Sequence, residues 1–425
     1  MTILLLISLL FIVFIYILIL KHSFVSPTVA YVLPFAFSST ILLLDYFIWK
    51  IDISQKTYLL IIASVLFLSL GELYGNFIFK NKTRKNKSIK VLQPNIKFTY
   101  LCIILIMITL YFYSNFVINV AKANLNNAIT LLSAYRGAEK DMSLTLKIGV
   151  GISSVLAYYY LYSFIQNYIF LNIKKFIYLI PFTLYILIIV LSSDRIDILF
   201  YFIFSIVVYY IFLKIKFKWT KVLNKKRITN IFILIILVFV SFYLLGFLTG
   251  KSLRLNFMET INIYAGSPII ALNNYHNNFN YNFSNFGSET LHNENNFLNI
   301  IFNIKSSGNQ FLEFTNIKGT EYYTNIYTNI RRLLNDYNYF GLFFIQFLTG
   351  FLYSILYIKM KVAKQQNYFI LIYSYLLTYL IFSVIDEMII RLIPTLTTLF
   401  SVILFIILLR SKIVTNYALV ELKTD

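Results

Sequence analysis

Cysteine and charge are both scarce in this chain, and each shortage narrows the class of protein. Cys102 is the single cysteine among 425 residues, so neither a disulfide framework nor a thiolate metal site can be built from the chain. Charged residues make up 13% of the sequence and apolar residues 59%, with a mean hydropathy of +0.75. These proportions exclude a soluble enzyme and predict an all-α, polytopic membrane protein.

Two phosphate- and metal-binding motifs are also missing. The sequence has no Walker-type loop, so nothing indicates an ATPase. It has no Asp-x-Asp motif, and the first outer segment between spans, residues 50–56, contains Asp52 as its one acidic residue. This pattern weighs against a metal-dependent polyprenyl-phosphate sugar transferase. We therefore predict no metal and no cofactor.

Eleven apolar runs, with a range of ten to twelve, are long enough to cross a bilayer as helices. They cover about Thr2 to Leu20, Thr28 to Ile48, Thr57 to Phe79, Phe98 to Val120, Leu144 to Phe170, Phe176 to Leu191, Ile196 to Leu213, Ile231 to Leu248, Tyr339 to Tyr357, Tyr368 to Ile385 and Leu392 to Leu409. The first run lacks a basic n-region and a small-residue cleavage pattern, which predicts a retained helix. Three regions follow: an N-terminal bundle at 1–249, a large loop at 250–337 and C-terminal helices at 338–425.

Short basic loops predict the orientation in the membrane. Residues 80–97 carry seven cations, and residues 214–227 carry seven more. Short, strongly basic loops stay on the cytoplasmic side. Alternation from these two loops places the N-terminus and the large loop outside. The net charge of +20 then reflects topology and contacts with anionic lipid, and not nucleic-acid binding.

The large loop is mostly polar and rich in asparagine, but aromatic and aliphatic residues recur throughout it. This recurrence favours an ordered segment with short helices over a disordered one. Residues 324–334 read as an amphipathic helix that closes the loop. Ile326 and Ile330 fall on one face, and Thr328 and Arg331 on another.

Ionisable residues at membrane depth or at the outer ends of spans are costly, and we therefore treat them as functional candidates. Glu72 lies inside the third span, where it is either paired structurally or lines a cavity. The outer turn at 192–197 contains Arg195, and a second outer cluster at 386–391 contains Arg391. For both clusters an ordinary interfacial ion pair is the alternative to a binding role.

Both ends of the large loop resemble the O-antigen polymerase (Wzy-type) family. Thr324-Asn325-Ile326-Tyr327-Thr328, followed by Asp336-Tyr337 and Phe340-Gly341, is similar to the family's C-terminal pattern. Tyr264-Ala265-Gly266-Ser267-Pro268 is similar to the segment that opens the same loop. The resemblance covers most of the chain by architecture and rests on short motifs. Many members have an even number of spans, and the eleven counted here depart from that pattern.

The resemblance implies a metal-independent membrane glycosyltransferase of the bacterial cytoplasmic (inner) membrane. Such an enzyme polymerises polyprenyl-diphosphate-linked oligosaccharide repeat units at the outer face, for capsule, exopolysaccharide or O-antigen. The donor supplies the energy, so ATP is not needed. The implied partners are the lipid-linked oligosaccharide, membrane lipid, a chain-length regulator and a flippase.

This reaction requires cations that neutralise the diphosphate leaving group and a base for the acceptor hydroxyl. The catalytic candidates are Arg195, Arg331, Arg332, His276 and Asp336. The substrate-binding candidates are Arg136, Arg254, Asn325, Thr328 and Arg391. Further candidate bases are His292 and Glu321. The alternatives are that the histidines are exposed loop residues and that Arg331 and Arg332 snorkel to lipid headgroups.

Two other functions remain open. An O-antigen ligase shares the architecture and the donor but passes the glycan to a different acceptor. A transporter or lipid-linked-oligosaccharide flippase is less favoured, because it would show internal repeats or polar residues inside several spans, and neither is found.

The topology is tested by cysteine labelling. Cysteines introduced at Asn285 and Asn295 should react with an impermeant reagent in intact cells or spheroplasts. Cysteines at Ser88 and Asn224 should react only after permeabilisation. Labelling of position 285 from the cytoplasmic side alone would exclude any activity of the large loop at the outer face.

Overall fold

The structure of the chain is a computed structural model with side chains. It describes residues 1–44, 52–79, 88–122, 132, 134–135, 142–217, 219, 225–248, 256–280, 286–292, 297–302, 312–317, 322–362 and 367–421.

Helices make up most of the described chain. In chain order they are α1 (Thr2–Phe14, continued by a π-helix over Ile15–Ile19), α2 (Pro27–Leu44), α3 (Gln55–Phe79), α4 (Ile96–Lys122), α5 (Leu144–Leu171), α6 (Ile180–Ser192, preceded by a 3-10 turn over Phe176–Leu179), α7 (Arg195–Lys216), α8 (Lys225–Leu248), α9 (Phe257–Ile261, continued by a π-helix over Asn262–Gly266), α10 (Ser267–Asn277), α11 (Phe297–Phe302), α12 (Asn329–Val362), α13 (Asn367–Ile381, continued by a 3-10 turn over Phe382–Val384), α14 (Ile389–Leu392) and α15 (Leu396–Arg410). The strands are β1 (Ser88–Pro94), β2 (Thr315–Asn316), β3 (Tyr323–Thr324) and β4 (Thr415–Glu421).

Within the described ranges, eight helices are long and apolar enough to cross a membrane. They are Thr2–Ile19, Pro27–Leu44, Gln55–Phe79, Ile96–Lys122, Leu144–Leu171, Arg195–Lys216, Asn329–Val362 and Asn367–Val384. Two shorter apolar helices, Phe176–Ser192 and Leu396–Arg410, coincide with two more of the predicted spans. The prediction of a largely helical, multi-pass membrane protein is therefore confirmed, whereas the count of eleven spans stays a prediction.

The chain divides into two compact units. The first unit comprises Met1–Thr83, Met258–Lys361 and Tyr375–Leu399, and the second comprises Arg84–Phe257, Val362–Ser374 and Phe400–Asp425. The three consecutive regions predicted at 1–249, 250–337 and 338–425 do not coincide with these units. Most of the polar segment belongs to the first unit, because its residues pack and bond with α2, α3 and α12.

In the first unit, α3 and α12 cross at glycines. A Cβ atom added to Gly71 would lie 2.0 Å from the carbonyl oxygen of Phe347, and one added to Gly350 would lie 2.0 Å from that of Leu68. Gly71 and Gly75 have the GxxxG spacing that lets helix backbones touch. Away from the crossing, Phe67 stacks on Phe343 with ring centres 4.9 Å apart. The position of α12 on α3 is therefore fixed by backbone contact.

Glu72 is paired within this unit. Its side chain is buried, and its Oε2 accepts a hydrogen bond from the backbone N–H of Thr28 at 2.7 Å. Its Oε1 lies 2.9 Å from Nδ1 of His22. A carboxylate at the start of α2 also interacts favourably with the helix dipole. The structure thus shows the pairing alternative for Glu72.

The second unit contains a small antiparallel sheet that the all-α prediction missed. β1 pairs with β4 from Ser88 opposite Glu421 to Pro94 opposite Thr415. Side-chain amides bond to the other edge of β1: Gln166 accepts from Leu92 N at 2.9 Å, and Asn167 donates to Leu92 O at 2.8 Å. The apolar alternation in β1 is limited to Ile89 and Val91, which is too short for periodicity to indicate a strand.

The helix predicted over residues 324–334 begins later than expected. Tyr323 and Thr324 form β3, which pairs with β2, and α12 starts at Asn329. Thr324 Oγ1 accepts from Ile326 N at 3.1 Å, and this local bond competes with helix formation. α12 then kinks at Asn338, whose φ of 56° lies in the left-handed region. The kink coincides with the predicted start of the next span near Tyr339.

The glycine crossing yields a stability prediction. In Gly350→Ala the added methyl group meets the Leu68 carbonyl, so α3 and α12 must separate, and overpacking of this kind costs about 1 to 3 kcal/mol. We expect a lower midpoint of thermal unfolding in detergent. Gly151→Ala is the control, because a Cβ there meets nothing within 4 Å. Equal midpoints for the two variants would show that the crossing tolerates a side chain.

Candidate functional site

Six charged side chains of the first unit form an alternating chain of ion pairs, called here the arginine chain. In order they are Glu313, Arg331, Glu289, Arg332, Asp386 and Arg391. Its members come from the polar segment, from the first turn of α12 and from the residues around α14.

Arg331 is a buried cation of the arginine chain, with 4% of its surface exposed. Its Nη1 donates to a carboxylate oxygen of Glu289, and its Nη2 lies 2.7 and 3.0 Å from the two carboxylate oxygens of Glu313. The guanidinium carbon lies 4.3 Å from the ring centre of Tyr275 and 5.5 Å from that of Tyr327. These contacts fix the guanidinium plane, so snorkelling to lipid headgroups does not describe this residue.

Arg332 lies between Glu289 and Asp386 and connects them in the arginine chain. Its Nε donates to Asp386 Oδ1 at 2.7 Å, and its Nη1 lies 3.6 Å from Glu289 Oε2. Arg391 Nη1 bonds to the other oxygen of Asp386. The structure therefore brings together three of the predicted arginines, Arg331, Arg332 and Arg391. The residues at 386–391 are part of the same cluster and not a separate interfacial pair.

Asp336 holds the turn that presents Glu289. Its Oδ2 accepts from the backbone N–H and the hydroxyl of Thr290, both at 2.7 Å, and its Oδ1 accepts from Asn335 Nδ2 at 3.0 Å. Gly287, with a φ of 67°, allows the tight turn just before Glu289. Both oxygens of Asp336 are occupied, which favours an anchoring role over the predicted role of base.

Burial raises the pKa of two carboxyl groups, one in the arginine chain and one next to it. Desolvation raises the pKa of Glu289, and the adjacent Arg331 opposes that rise. Desolvation also raises the pKa of Glu387, although three backbone N–H groups at the start of α14 bond to its carboxylate. Glu289 therefore depends on its ion pairs with Arg331 and Arg332 to stay ionised.

His276, near the end of α10, belongs to a hydrogen-bonded chain beside the arginine chain. Its Nδ1 lies 3.1 Å from Thr57 Oγ1, and its Nε2 lies 2.8 Å from the hydroxyl of Tyr339. Ser54 Oγ donates to Thr57 Oγ1 at 3.1 Å, which leaves the Thr57 hydrogen for Nδ1. Nε2 of the neutral ring then carries the hydrogen and donates to Tyr339.

The environment keeps this histidine neutral. Burial lowers the pKa of His276, and the positive charge of Lys56 lowers it further. His276 is 7% exposed, whereas Tyr339 is 41% exposed. The prediction's alternative, an exposed loop histidine, is therefore wrong for His276. The Tyr339 hydroxyl provides its connection towards the surface.

Aromatic rings lie between the histidine and the arginine chain. Tyr275 covers Arg331 and donates from its hydroxyl to Asn335 Oδ1 at 3.0 Å. The Phe279 ring lies 5.7 Å from the Tyr275 ring and 6.0 Å from the Tyr339 ring. The cationic part and the proton-accepting part of the candidate site are thus neighbours.

The remaining candidates are placed differently. Asn325 is half-buried between β3 and α12, and Thr328 is buried, with its carbonyl accepting from Arg331 N at 3.1 Å. Arg195 belongs to the second unit, where its guanidinium carbon lies 4.8 Å from the centre of the Phe242 ring. His292 is half-buried. Arg136, Arg254 and Glu321 lie outside the described residues.

No motif in the sequence marks Glu289, Glu313, Tyr275 or Tyr339 as functional residues. Each carries a central contact of the site, but the glutamates lie 42 and 18 residues before Arg331 in an asparagine-rich stretch without a motif. Comparison of the chain with protein-family models, curated proteins and solved structures gave no match. The resemblance to O-antigen polymerases therefore stays a hypothesis.

Asp336 provides a test of the anchoring role. In Asp336→Asn an amide N–H₂ replaces one acceptor oxygen facing the donors of Thr290, and leaving buried donors without an acceptor costs about 1 to 3 kcal/mol each. We expect faster proteolytic cleavage within 286–292 and a lower midpoint of unfolding. Thr290→Val, which keeps the backbone donor, should show a smaller change in both. Cleavage of Asp336→Asn at the wild-type rate would mean that Asp336 does not hold this turn.

Proposed function

We propose that the protein is a membrane glycosyltransferase that joins lipid-diphosphate-linked oligosaccharide repeat units at the outer face of the bacterial cytoplasmic membrane. In this proposal the chain has eleven spans, and the polar segment is external. The basic loops at 80–97 and 214–227 support this orientation. The site residues then lie on the side away from ATP, which suits a reaction driven by the donor's own diphosphate bond.

The observation that carries the proposal is a neutral, buried histidine connected to a half-exposed tyrosine next to a buried cluster of arginines. A sugar hydroxyl of the acceptor attacks the anomeric carbon of the lipid-linked chain. The new C–O bond forms as the anomeric C–O bond to the diphosphate breaks, and the diphosphate takes the electron pair. The proton of the acceptor hydroxyl passes to Tyr339 as the Tyr339 proton passes to His276.

For this transfer the tyrosine hydrogen must point towards His276 Nε2 when the acceptor arrives. That requires the other tautomer of the ring, with the hydrogen on Nδ1 and Thr57 Oγ1 as its acceptor. Both arrangements use the same distances of 3.1 and 2.8 Å, so a change of tautomer needs no movement of heavy atoms. The lowered pKa of His276 keeps one ring nitrogen free as an acceptor at neutral pH.

The arginine chain supplies the charge for the leaving group. Arg331 and Arg332 are held by the start of α12, and fixed guanidinium groups stabilise developing negative charge without reorganisation. They also match phosphate oxygens in bidentate geometry, which lysine does not. Tyr275, Phe279 and Tyr339 offer flat ring faces between the base and the cations, where the donor sugar would lie.

Deletion of the gene tests the function. We expect lipid-linked single repeats or short, singly substituted chains to accumulate and long polymer to disappear. Complementation with His276→Gln should leave polymer synthesis reduced about a hundredfold or more, the usual range for loss of an acid–base group. The measurement is the chain-length distribution of the polymer at matched membrane levels of the protein.

His292→Gln is the matched control, since it removes the other histidine of the polar segment, and its polymer should have wild-type length. Normal polymer from His276→Gln would exclude His276 as the base. Normal chain length in the deletion strain, with a defect only in attachment to the final acceptor, would indicate a ligase instead. Loss of the donor from the outer leaflet would indicate a flippase.

A further inference from the structure

We propose that Glu313 occupies the place on Arg331 that the donor diphosphate takes, so that donor binding exchanges one anionic partner of Arg331 for another. This inference rests on the proposed function, because it assigns a lipid-linked diphosphate to this site. It adds how the donor enters the site: in the free enzyme the Glu313 carboxylate covers the diphosphate subsite, and the donor displaces it.

The two carboxylates on Arg331 differ in burial and in support. The Glu289 side chain is 11% exposed, and its turn is fastened to Asp336. The Glu313 side chain is 49% exposed, and both oxygens of its carboxylate accept from Nη2 of Arg331. A half-exposed carboxylate is readily hydrated when it leaves its partner, so the net value of its pairing is small. Glu313 is therefore the partner that can be exchanged.

The geometry at Arg331 leaves one donor unused. Glu313 places both of its oxygens on Nη2, at 2.7 and 3.0 Å. Nε, on the same edge of the guanidinium, is buried and has no hydrogen-bond acceptor among the described residues. A phosphate that spans Nε and Nη2 with two oxygens would satisfy both donors. Arg331 thus keeps one hydrogen-bond donor, Nε, that Glu313 leaves without an acceptor and that a phosphate could satisfy.

The surroundings allow the exchange to occur without moving the arginine. Tyr275 and Tyr327 lie over the guanidinium, and Glu289 stays on Nη1. The hydroxyl of Tyr327 donates to the backbone carbonyl of Glu313 at 3.3 Å, which holds the main chain while the side chain rotates. The exchange is therefore a side-chain movement of one residue.

The test is diphosphate binding by the purified full chain in detergent, with geranylgeranyl diphosphate as the probe and calorimetry as the measurement. Glu313→Gln removes the competing charge but keeps the side-chain size, so its Kd for the probe should be about two- to fivefold lower than that of the wild type. Its midpoint of thermal unfolding should not change. Glu289→Gln is the matched control on the same guanidinium, and it should bind the probe no more tightly and unfold at a lower temperature.

Two further measurements identify the source of the effect. Geranylgeraniol, which lacks the diphosphate, and glucuronate, which carries a carboxylate without a diphosphate, should not bind Glu313→Gln more tightly than the wild type. Adding Arg331→Lys to Glu313→Gln should abolish the gain for geranylgeranyl diphosphate. Persistence of the gain in that double variant would refute the exchange on Arg331, as would a larger gain for glucuronate than for the diphosphate.

The remaining outcomes separate this inference from the proposed function. If Glu313→Gln binds the probe with the wild-type Kd or more weakly, while Arg331→Lys still loses binding, then the diphosphate site stands and the role of Glu313 is refuted. If the wild type and Glu313→Gln both fail to bind the diphosphate, then both the role of Glu313 and the diphosphate subsite are refuted.

Discussion

The buried ion pair between Arg331 and Glu289 is the interaction on which the candidate site depends. A charge without water or a partner is too costly to bury, so a guanidinium that is 4% exposed requires its carboxylate. Arg331 collects its partners from separate stretches of the polar segment, namely Tyr275, Glu289, Glu313 and Tyr327. One side chain therefore fixes helix α10, which carries Tyr275, relative to three stretches that have little regular structure. Loss of one member of such a buried pair typically costs about 3 to 5 kcal/mol, which makes the order of the segment depend on charge more than on secondary structure.

The rigid frame beneath this cluster is the crossing of α3 and α12. Thr57 lies on α3, Tyr339 lies on α12, and His276 bonds to both. The contact at Gly71 and Gly350 and the stacking of Phe67 on Phe343 set the separation of the two helices, and so they set the span that the imidazole bridges. α12 also carries Arg331, Arg332 and Asp336. The kink at Asn338 separates these residues from Tyr339. The segment of α12 before the kink thus carries the arginines, and the segment after it carries the tyrosine that bonds to His276.

Long apolar runs were sufficient to predict the class of the protein, because hydrocarbon burial depends on composition over about twenty residues. Arg331, Arg332 and Arg391 were also predictable as candidates, since charges near spans are rare. Their partners were not. Glu289 and Glu313 are ordinary acidic residues in an asparagine-rich stretch, and only the tertiary fold brings them to one guanidinium. Asp336 was predicted as a base because it carries a carboxylate near the membrane. Its hydrogen bonds to Thr290 and Asn335 depend on a turn that no repeating sequence pattern predicts. The strand pair β1 and β4 was missed for the related reason that its pairing is long-range.

The most direct test of the proposed function is reconstitution of the purified chain in liposomes with a synthetic lipid-diphosphate-linked repeat unit as the sole donor and acceptor. The measurement is the stoichiometry between free lipid diphosphate and glycan length, in the absence of ATP. We expect the glycan to grow by whole repeat units, with one lipid diphosphate released for each unit added. Release of lipid diphosphate without growth, or an unchanged donor with a correctly folded and inserted protein, would contradict it.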